Sequence, residues 1–411
     1  MWHRGKFLVV ARTNPFWFLW LVSFSMGILQ ADDKPWRSLT QSEASEVVGV
    51  INEAIKKRDG RVLIDRFDEA RYVDIGARGF DVPAKVLEDL RAASTRLRNL
   101  SITFELLLEG VGEYGVCELV RTIPATDAIP HHVLYRRLNI NGEPTFVTWW
   151  IMHDPDDKLR IVDYSDSRDG ISSAQNLYPF LVAVQAEKQA TSGKMDEHAI
   201  ECLNNFRQAR RLITTNQYKK SLELLDSIAK PHCDQPAIQM LRVDALKKID
   251  RGQAIEALKA LSSVESLRIP AAHQRLIIAL QGQNQEPPDF AQALEAVQLL
   301  EKETGDSHLA VLSSGLLLKL GQMDGAKKEM VRAVANFPNS LQVRMSSISL
   351  CLQDNGFEQV INDLNRFDKD FPNWIDRYFQ YTDGFDAFRA APAGQAWLEG
   401  RASVRRGVVS P

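Results

Sequence analysis

Two stretches of this chain repeat one another 34 residues apart. Phe337-Pro338-Asn339 recurs as Phe371-Pro372-Asn373, and the same 34-residue offset carries Met323 onto Phe357, Ala326 onto Val360 and Gly321 onto Asn355, with Gly356 one place later. Each copy reads as an apolar helix, a glycine-containing turn, a second helix, then Phe-Pro-Asn as the stop. Proline cannot continue a helix and moves the residue before it out of helical ψ, so each proline closes its unit. A unit that ends on its own signal and then starts again has to stack on its neighbours to bury its apolar side.

Earlier copies appear with drift. Small residues of the second helix fall at Ser221, Ala257, Ala293, Ala326 and Val360, and those of the first at Ala209, Ala245, Ala279 and Ser314. Turn residues between the two series are Asn216, Gly252, Pro287-Pro288, Gly321 and Gly356. Small residues are needed where antiparallel helices approach closely. The period, the two-helix unit and the small crossing residues resemble the tetratricopeptide repeat, which implies an α-solenoid of about five hairpins over residues 197–374. Residues 375–400 are expected as capping helices and 401–411 as a flexible tail.

At 411 residues the chain is too long for one core, and 45% apolar with 25% charged residues is ordinary for soluble globular protein. A net charge of −3 gives no reason to expect nucleic acid as a partner. Cys117, Cys202, Cys233 and Cys351 lie far apart without a Cys-x-x-Cys, so the usual zinc and thioredoxin spacings are excluded and disulfides remain open.

The first 31 residues lack an acid, carry Arg4, Lys6 and Arg12, and hold an uncharged run over 16–29 before Ala31 and Asp32-Asp33. This is the pattern of a signal peptide. The run is short of the roughly 20 apolar residues of a span, yet Leu29 is a poor cleavage partner, so an uncleaved N-terminal membrane anchor stays open. Either way the expectation is an exported chain, periplasmic or secreted, that meets a membrane only through this segment.

Residues 40–188 read as an α+β domain. Thr40-Gln-Ser-Glu43 fits a capping box, followed by a stripe of Ala44, Val47, Val48, Ile51, Ala54 and Ile55. A short second helix is expected over 61–70 and a third opening at Asp81 and Pro83. From Leu100 the apolar period changes to 2, giving strands over 100–108, 116–123, 133–140, 145–153 and 159–164, with Asn141-Gly142 as a hairpin turn. A closing helix over 171–184 and a linker at 189–196 complete the reading. Helices first and a hairpin-rich sheet after look like the cone-shaped NTF2-like fold, whose relatives include SnoaL-type cyclases and ketosteroid isomerases. That resemblance implies a curved antiparallel sheet with helices on one face and a pocket lined from alternate strand positions.

In such a pocket the candidates are Tyr135, Trp149, His153, Asp163 and Tyr164. A buried acid beside a tyrosine could act as general base and oxyanion donor. The other reading makes Asp163 a turn residue and the aromatics core. His131 and His132 are strand neighbours pointing to opposite faces, so they do not share a metal ion. No phosphate loop, nucleophile elbow or His-Glu-x-x-His occurs, and no cofactor or metal is expected. By the tetratricopeptide resemblance, inward first-helix positions for a partner protein or peptide are Phe206, Arg210, Val311, Lys319, Met345 and Gln353. Cys202 and Cys233 sit at adjoining ends of the first hairpin, where they either form a disulfide or remain buried thiols. The function expected is therefore a non-enzymatic, exported interaction scaffold whose α+β domain serves as a second binding or dimerisation module. An isomerase- or cyclase-type enzyme recruited by the repeats is the alternative.

Overall fold

The chain is described by a computed structural model at residues 39–57, 59–77, 82–94, 116–124, 131–138, 144–154, 157–168, 177, 181, 197–230, 232–281, 287–371, 375, 379 and 384–408. The targeting segment, the strand expected at 100–108, the Asn141-Gly142 turn, most of the closing helix and the linker lie outside those residues.

The capping box forms as the sequence specifies. The Thr40 amide donates to Glu43 Oε2 at 2.6 Å and the Glu43 amide to Thr40 Oγ1 at 3.3 Å. Helix α1 (Gln41–Lys57) follows and buries Val47, Ile51 and Ala54. In place of one helix over 61–70 there are two, α2 (Arg61–Ile64) and α3 (Glu69–Gly76). The break is tertiary: Phe67 bridges Ile161 in parallel, with Asp68 N on Ile161 O and Ile161 N on Arg66 O, both at 2.8 Å. Those backbone groups belong to the sheet, so a helix cannot use them, and the Asp68 side chain restarts the chain by capping α3. Helix α4 (Ala84–Ser94) lies on α3 through the Arg91–Asp74 ion pair at 2.5 Å.

Strands β1 (Val116–Ile123), β2 (His131–Leu138), β3 (Pro144–His153) and β4 (Leu159–Asp166) form an antiparallel sheet in chain order. One face carries Val133, Tyr135, Val147, Trp149, Ile151 and Tyr164, packed under α1. The opposite face carries Leu134 and Phe146, which join the core of the helical region. Helices were expected on one face; the sheet is in fact covered on both, which is why residues 133–137 are buried without alternation.

Five helical hairpins follow: α5 (Glu197–Thr214) with α6 (Tyr218–Asp226), α7 (Pro236–Ile249) with α8 (Arg251–Leu261), α9 (Arg268–Gln281) with α10 (Phe290–Thr304), α11 (Ala310–Lys319) with α12 (Met323–Asn336), and α13 (Leu341–Gln353) with α14 (Phe357–Asp370). The fourth residue of each second helix sits at the crossing: Ser221, Ala254, Ala293, Ala326 and Val360 are all fully buried. Ala254 therefore replaces Ala257 as the crossing residue of the second hairpin. The turn there has no spare residue, because Asp250 both ends α7 and caps α8. Two crossings are tied by hydroxyls, Ser221 Oγ donating to Ala209 O at 3.0 Å and Ser314 Oγ to Ala326 O at 2.8 Å. Left-handed backbone falls two residues before the second helix at Asn216, Gly321 and Asn355 (φ +60°, +73° and +55°). Asn355, not the expected Gly356, makes the last turn, since Asn tolerates this region. The repeated Phe-Pro also has one backbone: Phe337 at φ −132°, ψ 58° and Phe371 at φ −136°, ψ 58°.

Helices α15 (Phe385–Ala390) and α16 (Pro392–Val408) close the array. Most of the expected tail, from 401, is thus helical. Arg401 fixes it by pairing with Asp368 at 2.9 Å and lying over Trp397. A Cβ at Gly394 would lie 1.9 Å from Phe388 O, a backbone atom that cannot swing away. Gly394→Ala is expected to lower stability by about 1–3 kcal/mol, the usual range for overpacking; an unchanged urea midpoint would refute this close approach. No helix of the described residues is long and apolar enough to cross a membrane.

Candidate interaction surface

The first-helix side of the solenoid already holds a protein surface: the sheet of the same chain. In α9 every residue from Pro270 to Leu276 is buried, His273, Gln274 and Arg275 included. An amphipathic helix would leave one side wet; here the sheet covers that side. Leu134 and Phe146 share a core with Ala272, Leu276 and Leu309. Gln274 Nε2 donates to Arg168 O at 2.5 Å, and Ser167 Oγ lies 2.9 Å from His273 Nδ1. Arg121, on β1, donates to Glu303 O.

At the centre of the seam Arg136 Nη1 is 2.5 Å from Asp306 Oδ1, with side chains 2% and 3% exposed. The other guanidinium arm meets Glu118. Asp306 Oδ1 also accepts from His308 N at 3.1 Å. Phe337, from the repeated Phe-Pro, receives Arg136 over its ring at 5.4 Å and the His308 ring edge-on at 4.9 Å. Burial, and then the Arg136 charge, push the His308 imidazole down to about 3. On the other sheet face Arg137 pairs with Asp166 at 3.0 Å. Burial alone would raise the Asp166 carboxyl, but hydrogen bonds from Arg168 and the Arg137 charge hold it below the ordinary carboxylate value.

The six positions expected to meet a partner divide evenly. Phe206 and Val311 are buried and Met345 is half-buried against the C-terminal core. Arg210, Lys319 and Gln353 are exposed. Of the five pocket candidates, three are brought together. Tyr135, Trp149 and Tyr164 belong to the core under α1, with the Trp149 and Tyr164 rings 5.7 Å apart. Burial drives the Tyr135 hydroxyl far above its ordinary value, and that hydroxyl donates to Val48 O at 3.4 Å. Asp163 lies on the other face, because β4 bulges at Val162 and so pairs Asp163 with Trp150. Its carboxylate accepts from Tyr164 N at 2.8 Å. His153 reaches the start of α1, 3.4 Å from Glu43 Oε1, and 3.3 Å from Asp157 Oδ1. Cys202 and Cys233 are free thiols, so the disulfide is not formed; Cys202 is buried in the first hairpin's core while the Cys233 sulfur turns to Asp234 Oδ1. No group of metal-ligating side chains occurs among the described residues.

The seam residues were missed in the sequence. Their signals were two consecutive arginines inside a strand and His-Gln-Arg inside an apolar helix, patterns that mark burial but name no partner.

No family model matches the chain, and neither does any curated protein. Among solved structures it is similar to the crystal structure of a thermophilic TPR protein from Thermus thermophilus, at 17% identity and a TM-score of 0.26, covering 44% of this chain and 97% of that one. On the geometry of its own hairpins, the C-terminal half is a run of tetratricopeptide-like repeats. The sheet of the same chain is packed on α9 to α11 of these repeats.

Proposed function

We propose that this chain is an exported protein–protein interaction scaffold that holds a partner peptide or protein on the first-helix side of its tetratricopeptide-like array. The observation that carries the reading is the seam itself. The middle hairpins grip a folded protein surface through Phe146, Leu134 and a set of directed polar contacts. Exposed Arg210 lies before that occupied stretch in the chain, Lys319 is the last residue of its final helix, and Gln353 comes after it. On this reading a partner docks on the first-helix positions that the sheet leaves exposed. Export rests on the basic and apolar pattern of the first 31 residues.

Affinity capture with the tagged full chain, compared with a Lys319→Glu/Gln353→Glu variant, tests the reading. Expected is a saturable set of co-purifying proteins that the variant depletes by at least about fivefold, in line with losing charge-complementary contacts at a rim. Identical protein sets for both chains would refute it.

A further inference from the structure

The first hairpin carries a charge pattern that the fold does not use. Residues 202–222 contain Arg207, Arg210, Arg211, Lys219 and Lys220 and not one Asp or Glu, and all five cations are exposed. Arg207, Arg210 and Arg211 are related by i,i+3 and i,i+4 spacing, so they share one side of α5 as like charges that repel. The turn at Asn216 brings α6 back beside them, with Lys219 and Lys220 in its first turn.

In the later hairpins Arg242 is matched with Asp226, Arg275 with Glu295 and Arg332 with Glu301 and Glu329. Arg251 and Arg344 reach backbone carbonyls, and the exposed Arg268 and Arg366 stand singly on their helices. Among the described residues only the first hairpin gathers several such cations. Among the described residues no carboxylate meets Arg207, Arg210, Arg211, Lys219 or Lys220, and Lys220 donates only to Gln217 Oε1 at 3.1 Å. The cluster is also against the grain of the chain. With −3 overall, everything outside these five cations sums to −8.

We infer that the exposed side of the first hairpin, at its α5–α6 turn, docks a short acidic segment of a partner protein. The inference rests on the scaffold reading and supplies the partner's chemistry. A short segment fits better than an extended polyanion. Screening confines each charge to about 8 Å at physiological salt, so a few carboxylates over the hairpin feel the five cations. A nucleic acid or an anionic membrane would lie against the net negative remainder as well. Charge complementarity of this kind speeds encounter and selects the partner.

The test uses the full chain and a fluorescent glutamate-rich peptide of about twelve residues, enough to span the hairpin turn if extended. Comparison probes are a lysine-rich peptide of equal length, oligothymidine, and phosphatidylcholine vesicles doped with phosphatidylserine. Two variants are used, Arg207→Glu/Arg210→Glu/Arg211→Glu on α5 and Lys219→Glu/Lys220→Glu on α6, so that a folding defect in one leaves the other. The glutamate peptide is expected to bind the native chain, to weaken in high salt, and to lose at least about tenfold in affinity in each folded variant. Failure of the glutamate peptide to bind, or equal binding by native chain and variants, overturns the inference. So does tighter binding of oligothymidine or of the vesicles. If the peptide fails while Lys319 and Gln353 still govern captured proteins, the acidic segment is wrong and the scaffold stands; if neither holds, both fall.

Discussion

Asp306→Ala is expected to cost the folded chain about 3–5 kcal/mol, the range for removing one member of a buried ion pair. Alanine would leave Arg136, 2% exposed, with a charge that neither solvent nor Asp306 compensates. It would also remove the oxygen that receives the His308 amide. Glu118 holds the other guanidinium arm but is half exposed, so it offsets only part of the loss. Arg136→Met/Asp306→Leu removes both charges at once and should recover most of the stability, since such pairs roughly match apolar replacements of similar volume. Arg136 Nε and Asp306 Oδ2 lack hydrogen-bond partners among the described residues, which leans the balance the same way. Urea denaturation of the native chain, Arg136→Met, Asp306→Leu and the double variant supplies the coupling, and amide exchange in α9 reports whether the sheet has left the solenoid. A cost below about 1 kcal/mol for Asp306→Ala, typical of exposed pairs, would mean that the seam is wet.

The second large effect is an acid sensitivity centred on His308. Its folded pKa of about 3 lies below the unfolded value of about 6.5. Above pH 6.5 both states are neutral at this residue and it adds no pH dependence. Below that, the unfolded chain takes up a proton that the native seam refuses, so stability falls with pH by up to about 1.4 kcal/mol per unit. The window runs from 6.5 down to about 3. Asp166, whose carboxyl is depressed, adds a further loss only below the ordinary carboxylate range near 4. His308→Gln should flatten the profile between pH 6.5 and 4.5 while leaving the acid limb in place. Parallel profiles for the two chains in thermal unfolding would show that His308 titrates normally.

Both effects arise at a seam that joins β2 to the stretch around Asp306, 170 residues apart in sequence. That distance explains what was legible and what was not. The capping box at Thr40 and Glu43, the α5–α6 turn at Asn216 and the Phe-Pro stops are local, and each formed as its residues specify. Two of the errors were local ones of phase. The crossing residue moved from Ala257 to Ala254 because Asp250 serves two helices at once, and a single-residue bulge at Val162 took Asp163 off the face that carries Trp149. The bulge decided which of two neighbours, Asp163 or Tyr164, joins that face; alternation alone already keeps both from doing so.

The sequence by itself determined the two halves and the period of the second, because capping, helix stops and small crossing residues act over a few turns of chain. Only the tertiary structure decided that the sheet is buried on both faces, that its partner is α9, and that Arg136 belongs to Asp306. Burial of a strand looks the same in sequence whatever covers it, since apolar surface is non-directional. Charges that find each other across a fold carry no mark of the residue they will meet.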